Sequence, residues 1–104
     1  MSEHKHTPGP WLLTKGTVYA LNDDGTNRFY AGVQGGFIYQ TRNFTVPTPG
    51  YEIEANARLM CAAPQLLEAL ISTINYLELL DDRSMSVKLI ETARELIAEV
   101  TGEK

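Results

Sequence analysis

At 104 residues the chain has room for one domain and too little for two independent cores. It is 43% hydrophobic and 21% charged, a composition that suits a folded globular protein and not a disordered one. The formal net charge of −4 argues against general duplex-DNA binding, which needs a basic stripe to release counterions. The charge is also uneven. Residues 1–50 hold four Lys/Arg against three acids, and residues 51–104 hold five against ten.

Taken in chain order, residues 1–10 are polar and proline-rich and read as a flexible arm until Trp11 anchors it. Strand signals then fill residues 11–42. Trp11-Leu12-Leu13-Thr14 meets a turn at Lys15-Gly16, and Thr17-Val18-Tyr19-Ala20-Leu21 follows. Asn22 to Asn27 is a cluster of turn formers with an Asp24-Gly25 pair. Arg28 to Gln34 makes a third run, Gly35-Gly36 reads as a tight two-residue turn, and Phe37 to Arg42 makes a fourth. Alternation places Phe29, Ala31 and Val33 on one face of the third run and Tyr30 and Gly32 on the other. Neither face of the sheet is wholly polar, so helices are expected on one side and partial cover on the other.

Residues 43–50, with Pro47, Pro49 and Gly50, read as a linker. The first helix is expected over 51–63, since the residue before Pro64 is biased away from helical angles. Pro64 suits the start of a second helix, 64–80, with a wide apolar stripe from Leu66 to Leu80. Asp81 to Ser84 reads as a turn, Ser84 or Ser86 as a cap, and 86–101 as a third helix. The expected fold is therefore α+β: an antiparallel sheet of about four strands packed on three helices, in a single domain over 1–104. The second and third helices should form an antiparallel hairpin.

Two segments carry a resemblance. Thr7-Pro8-Gly9-Pro10-Trp11, together with Glu54-Ala-Asn-Ala-Arg-Leu-Met-Cys-Ala-Ala-Pro-Gln-Leu-Leu-Glu-Ala-Leu70, resembles a family of small tailed-bacteriophage and prophage proteins. In that family a "TPGPW" opening and an "EANARLIAAAPELLEAL"-like helix recur. The resemblance implies a viral accessory protein. No apolar run approaches the roughly 18 residues of a membrane span, and the polar start Met1-Ser2-Glu3-His4-Lys5-His6 is unlike a signal peptide. The host cytoplasm is the expected compartment.

No catalytic signature is present, whether phosphate loop, dinucleotide fingerprint, nucleophile elbow or zinc-protease helix, so no catalytic residue and no cofactor is expected. Cys61 is the only cysteine and lacks a neighbour at ligand spacing, and His4 and His6 lie in the arm. No metal site is expected. Cys61 reads as a small core residue, Trp11 as a core plug, and Arg58 as the i, i+4 partner of Glu54. Asn56 is expected to bond the preceding loop.

The candidate ligand-binding group is Arg28, Tyr30, Tyr39, Arg42 and Asn43, because aromatic rings stack on bases and guanidinium groups grip phosphates. Besides an enzyme acting on a nucleotide, two readings of function follow. One is a non-enzymatic phage accessory protein that counters host antiviral defence by sequestering a nucleotide-derived signal molecule as a homo-oligomer. The alternative is an acidic protein-binding inhibitor of a host defence enzyme or nucleic-acid-binding complex. Duplex DNA and membrane are not expected partners.

Overall fold

The computed structural model describes residues 5–80 and 87–103. Its elements run β1 (Leu12–Thr14), β2 (Thr17–Leu21), β3 (Asn27–Gly32), β4 (Phe37–Gln40), β5 (Thr45–Pro47), α1 (Gly50–Cys61), α2 (Ala63–Leu79) and α3 (Val87–Thr101). The fold is α+β, with both sheets antiparallel. The chain divides into two compact units: Gly9–Ala63, and the described residues from Pro64 onward together with those up to Pro8.

In the first unit β1, β2 and β3 form a three-stranded sheet in sequence order. Lys15 and Gly16 both have positive φ, 45° and 79°, the two-residue pattern whose twist matches the flanking strands. That turn sets Thr14 opposite Thr17 and Leu12 opposite Tyr19. The β2–β3 turn closes through Asn22 N–H to the Thr26 carbonyl at 2.7 Å and Gly25 N–H to the Asn22 carbonyl at 3.0 Å. Ala20 then faces Phe29 and Leu21 faces Asn27, which leaves Arg28 as the extra residue of a β-bulge.

The period-2 reading of β3 holds. Phe29 and Ala31 are half-buried, whereas Arg28, Tyr30 and Gly32 are exposed. Opposite them, Val18 and Ala20 are buried, and Val18 retains 1% exposure. α1 packs on β1 and β2 and supplies the buried Ala57. Removing a valine side chain from water on this scale contributes about 1.5–3 kcal/mol. Trp11 sets its ring edge against Phe29, with centroids 5.0 Å apart and planes at 70°. The Cys61 thiol donates to the Trp11 carbonyl at 2.9 Å, so the end of α1 is tied to the start of the sheet.

Two expectations are corrected in the second half of this unit. Gly35-Gly36 is not a hairpin turn, because β3 and β4 belong to different sheets. Gly35 instead lies against α1, where an added Cβ would stand 2.5 Å from Ile53 Cδ1. Residues 43–50 are not a plain linker, since Thr45–Pro47 pairs with β4 as a two-stranded sheet. The Thr41 N–H donates to the Phe44 carbonyl at 2.9 Å, and the Thr41 side chain reinforces that closure. Thr41 Oγ1 accepts from the N–H groups of Asn43 and Phe44 at 3.2 and 3.1 Å and donates to the Phe44 carbonyl. Such local side-chain bonds let a threonine turn the chain where no glycine is present.

The second unit holds α2 and α3. Helix boundaries fall within a residue or two of those expected, because Pro64 fixes one junction and Gly102, at φ 77°, follows the last turn of α3. The buried stripe is narrower than the leucine count suggests. Pro64, Leu67 and Ile74 are buried and Leu70, Ile71 and Leu77 half-buried, while Leu66 lies about 100° round the helix and is exposed. Arg94 of α3 donates to Asn75 Oδ1 at 2.7 Å and pairs with Glu78, both on α2. Thr101 is buried and satisfied by the Ile97 carbonyl at 2.8 Å. Lys5 Nζ donates to the Gly102 carbonyl at 3.4 Å, a cation at a helix C-terminus. The turn at Asp81–Ser84, the Ser84 or Ser86 cap and His4 lie outside the described residues.

Candidate functional site

The open face of the three-stranded sheet is built by the same alternation that fills its core. With Val18 and Ala20 turned inward, Thr17 and Tyr19 turn outward. Register then sets Tyr30 directly opposite Tyr19 and Thr14 opposite Thr17. Thr14, Thr17, Tyr19, Asn27 and Tyr30 line a shallow recess of about 250 Å³. Four of these residues carry a hydroxyl and the fifth a carboxamide, yet the recess is mainly apolar in surface, with a few polar groups and no acidic or basic side chain among the described residues. Tyr30 is 71% exposed, which leaves much of its ring free for stacking.

The turn leading into this face is held by Asp24. Its carboxylate accepts from the Thr26 hydroxyl at 2.6 Å and the Thr26 N–H at 3.0 Å. These bonds favour the ionised form and hold the Asp24 carboxyl below the usual range. Asn27, one residue beyond, is thereby presented to the recess from a fixed turn.

The five residues expected to bind ligand fall in two places. Tyr30 lines the recess, and Arg28 stands exposed at the bulge two positions earlier on β3. Tyr39 lies on β4, while Arg42 and Asn43 occupy the Thr41–Phe44 turn. Tyr39 packs its ring on Phe44 with centroids 5.2 Å apart. Of the five, the recess takes in Tyr30 alone. Among the described residues neither Arg28 nor Arg42 has a hydrogen-bond or ion-pair partner, so both guanidinium groups face solvent.

Thr14, Thr17, Tyr19 and Asn27 were not singled out from sequence. The signal for them lay in register: the Lys15-Gly16 turn sets Thr14 opposite Thr17, and the separate β2–β3 register sets Tyr19 opposite Tyr30.

The remaining candidates, Asn56 and Arg58, lie on α1. Arg58 Nη1 lies 3.9 Å from Glu54 Oε2, the i, i+4 pair that the spacing implies. Asn56 is exposed, and the expected bond to the preceding loop is not formed. Among the described residues no group of three His, Cys, Asp or Glu side chains is placed to hold a metal ion. No described helix is long and apolar enough to cross a membrane.

Compared with known proteins, the chain matches the family model described as Salmonella phage P22 protein Y8K6 over residues 1–104. No curated protein and no solved structure matches it.

Proposed function

We infer the function from one premise: the chain belongs to the Salmonella phage P22 protein Y8K6 family and is a small phage accessory protein. On that premise we propose that it is non-enzymatic, acts as a homo-oligomer in the host cytoplasm, and sequesters a nucleotide-derived signal molecule of host antiviral defence. The observation that carries this reading is the recess on the open sheet face, lined by Thr14, Thr17, Tyr19, Asn27 and the exposed Tyr30. A base stacks on an exposed tyrosine ring without need of sequence-specific bonds, and such stacking contributes about 1–3 kcal/mol per base. Hydroxyls and the Asn27 carboxamide match the donors and acceptors of a ribose or a base edge. Arg28, at the bulge beside Tyr30, offers the cation a phosphate needs. Arg42 and Asn43 are a second such group on the β4–β5 turn. Among the described residues the recess lining holds no carboxylate, imidazole or thiol, which favours retention of a ligand over its turnover.

The test is incubation with ADP-ribose and with cyclic oligonucleotides, followed by heat denaturation and analysis of the released ligand. Sequestration predicts that the ligand returns intact, and that Tyr30→Ala and Arg28→Glu each weaken binding at least tenfold. A new product would replace this reading with an enzymatic one. Unchanged binding in both variants would remove the site.

One observation favours a second reading, the acidic inhibitor. Glu91, Glu95 and Glu99 are exposed on α3 at i, i+4 spacing, an arrangement that costs a helix a few tenths of a kcal/mol per like-charge pair. A helix face that keeps such repulsion resembles the regular charge of nucleic acid. Capture of a single host protein that is released at high salt, with no nucleotide bound, would favour this reading.

A further inference from the structure

One residue of the open sheet face is not what its own strand calls for. Gly32 ends β3 and is exposed. Gly16, Gly25 and Gly102 have positive φ, and Gly35 stands against Ile53, so each of these serves its backbone or its neighbour. Gly32 has neither reason. Its φ lies outside the left-handed region, and a Cβ added there would meet no atom within 4 Å. Glycine at such a position weakens a strand, since it adds chain entropy and packs nothing. Where glycine is kept in a strand, a ligand or another backbone often comes close. No backbone of this chain does so at Gly32.

Register puts Gly32 on the recess face. It pairs directly with Thr17, which lines the recess, and it stands two residues beyond Tyr30 on the same side of β3. Two residues along a strand span roughly 7 Å. Stacked aromatic rings keep their centres about 4.5–7 Å apart. A flat ring laid against Tyr30 on this side is therefore centred over Gly32. Below it is bare backbone, and beside it the Thr17 hydroxyl.

We propose that Gly32 is the specificity-determining residue of the recess: its missing side chain leaves the slot in which one nucleobase stacks on Tyr30, with the base edge toward Thr17. The proposal rests on the recess being the ligand site and deepens that reading by seating the base. The Thr17 hydroxyl both donates and accepts, so it serves a purine or a pyrimidine edge. Arg28 precedes Tyr30 on β3, and Gly32 follows it. The ligand then lies along β3, its phosphate toward the Arg28 guanidinium and its base at Gly32. A side chain at 32 would occupy the place of the base without touching the protein.

The experiment compares Gly32→Ala and Gly32→Thr with the wild type and with Tyr30→Ala. Melting is followed by circular dichroism, and binding of ADP-ribose and of cyclic oligonucleotides by calorimetry. Threonine suits a strand and finds open space, so the melting temperature should hold or rise. Binding should nevertheless fall at least tenfold in Gly32→Thr and by less in Gly32→Ala, in order of bulk. Gly36→Ala, outside the recess, should leave binding unchanged. Full binding in Gly32→Thr with Tyr30→Ala defective overturns the slot and leaves the recess standing. A melting temperature that falls by several degrees in both Gly32 variants overturns the proposal too, because glycine would then serve the fold. Binding unaffected by Gly32→Thr and Tyr30→Ala alike, or a wild type that binds neither probe, overturns the recess and the proposal with it.

Discussion

The two sheets of the first unit are made from similar strand sequences yet end in opposite environments. β2 and β3 alternate more and less buried positions, with Val18 and Ala20 against α1, Tyr19 half-buried on the other face and Tyr30 in the open. β4 exposes every residue, although Phe37-Ile38-Tyr39 is at least as apolar as Val18-Tyr19-Ala20. Residue type is therefore a poor guide to burial here. What separates the sheets is whether a helix arrives, and α1 arrives only at the first. Hydrophobic content held back from a core is a surface feature that wants an explanation.

That contrast can be broken by substitution. The largest effect is expected for Val18→Asp, which buries a carboxylate with no partner and should cost about 3–5 kcal/mol. Chemical denaturation would show it as loss of the cooperative transition or a large fall in its midpoint. Gly16→Val comes next. A β-branched residue at a φ of 79° is strained by about 1–2 kcal/mol, so the variant should melt several degrees lower with its helical signal unchanged. By contrast, Phe44→Ser should cost only about 0.5–1.5 kcal/mol, the worth of its ring pair with Tyr39, since the ring is more than half exposed. A cost comparable to that of a core residue would mean the hairpin is covered within a single chain.

The smallest effect concerns acid. Asp24's carboxyl is lowered in the folded state by its Thr26 bonds, so the stability it contributes is present above the unfolded carboxylate range and fades as pH falls through the folded value. Asp24→Asn should therefore flatten a weak acid-side loss of stability and leave neutral pH nearly untouched. A variant that loses stability equally at pH 7 and pH 3 would contradict the assignment.

The helices were legible because their signals are local and redundant. Pro64 breaks the chain at one residue, and Leu67, Leu70, Ile71 and Ile74 repeat at helical spacing on the same side. β5 was not legible, because three residues ending in a proline carry no periodicity and its pairing is set by the Thr41–Phe44 turn, where the Thr41 hydroxyl meets two amides. Gly35-Gly36 misled for a related reason: turn chemistry says that the chain can bend, not that a strand waits on the other side. Glycine at 35 answers to a distant residue, Ile53, which no window around it contains. Tyr30 could be placed by alternation along its own strand. The rest of its recess needed the register of two hairpins at once, which is information about pairs and not about single segments.

The bond from the Cys61 thiol to the Trp11 carbonyl has a practical consequence. As the chain holds a single sulfhydryl, any thiol reagent reports on that position and no other. The sulfur is half-buried and donates to that carbonyl, so its labelling should quicken when the foot of α1 parts from the residue that leads into the first strand. The protein thus carries its own clock for local opening. Run with and without ligand, that clock would show whether filling the recess on one face of the sheet stiffens the layer behind it.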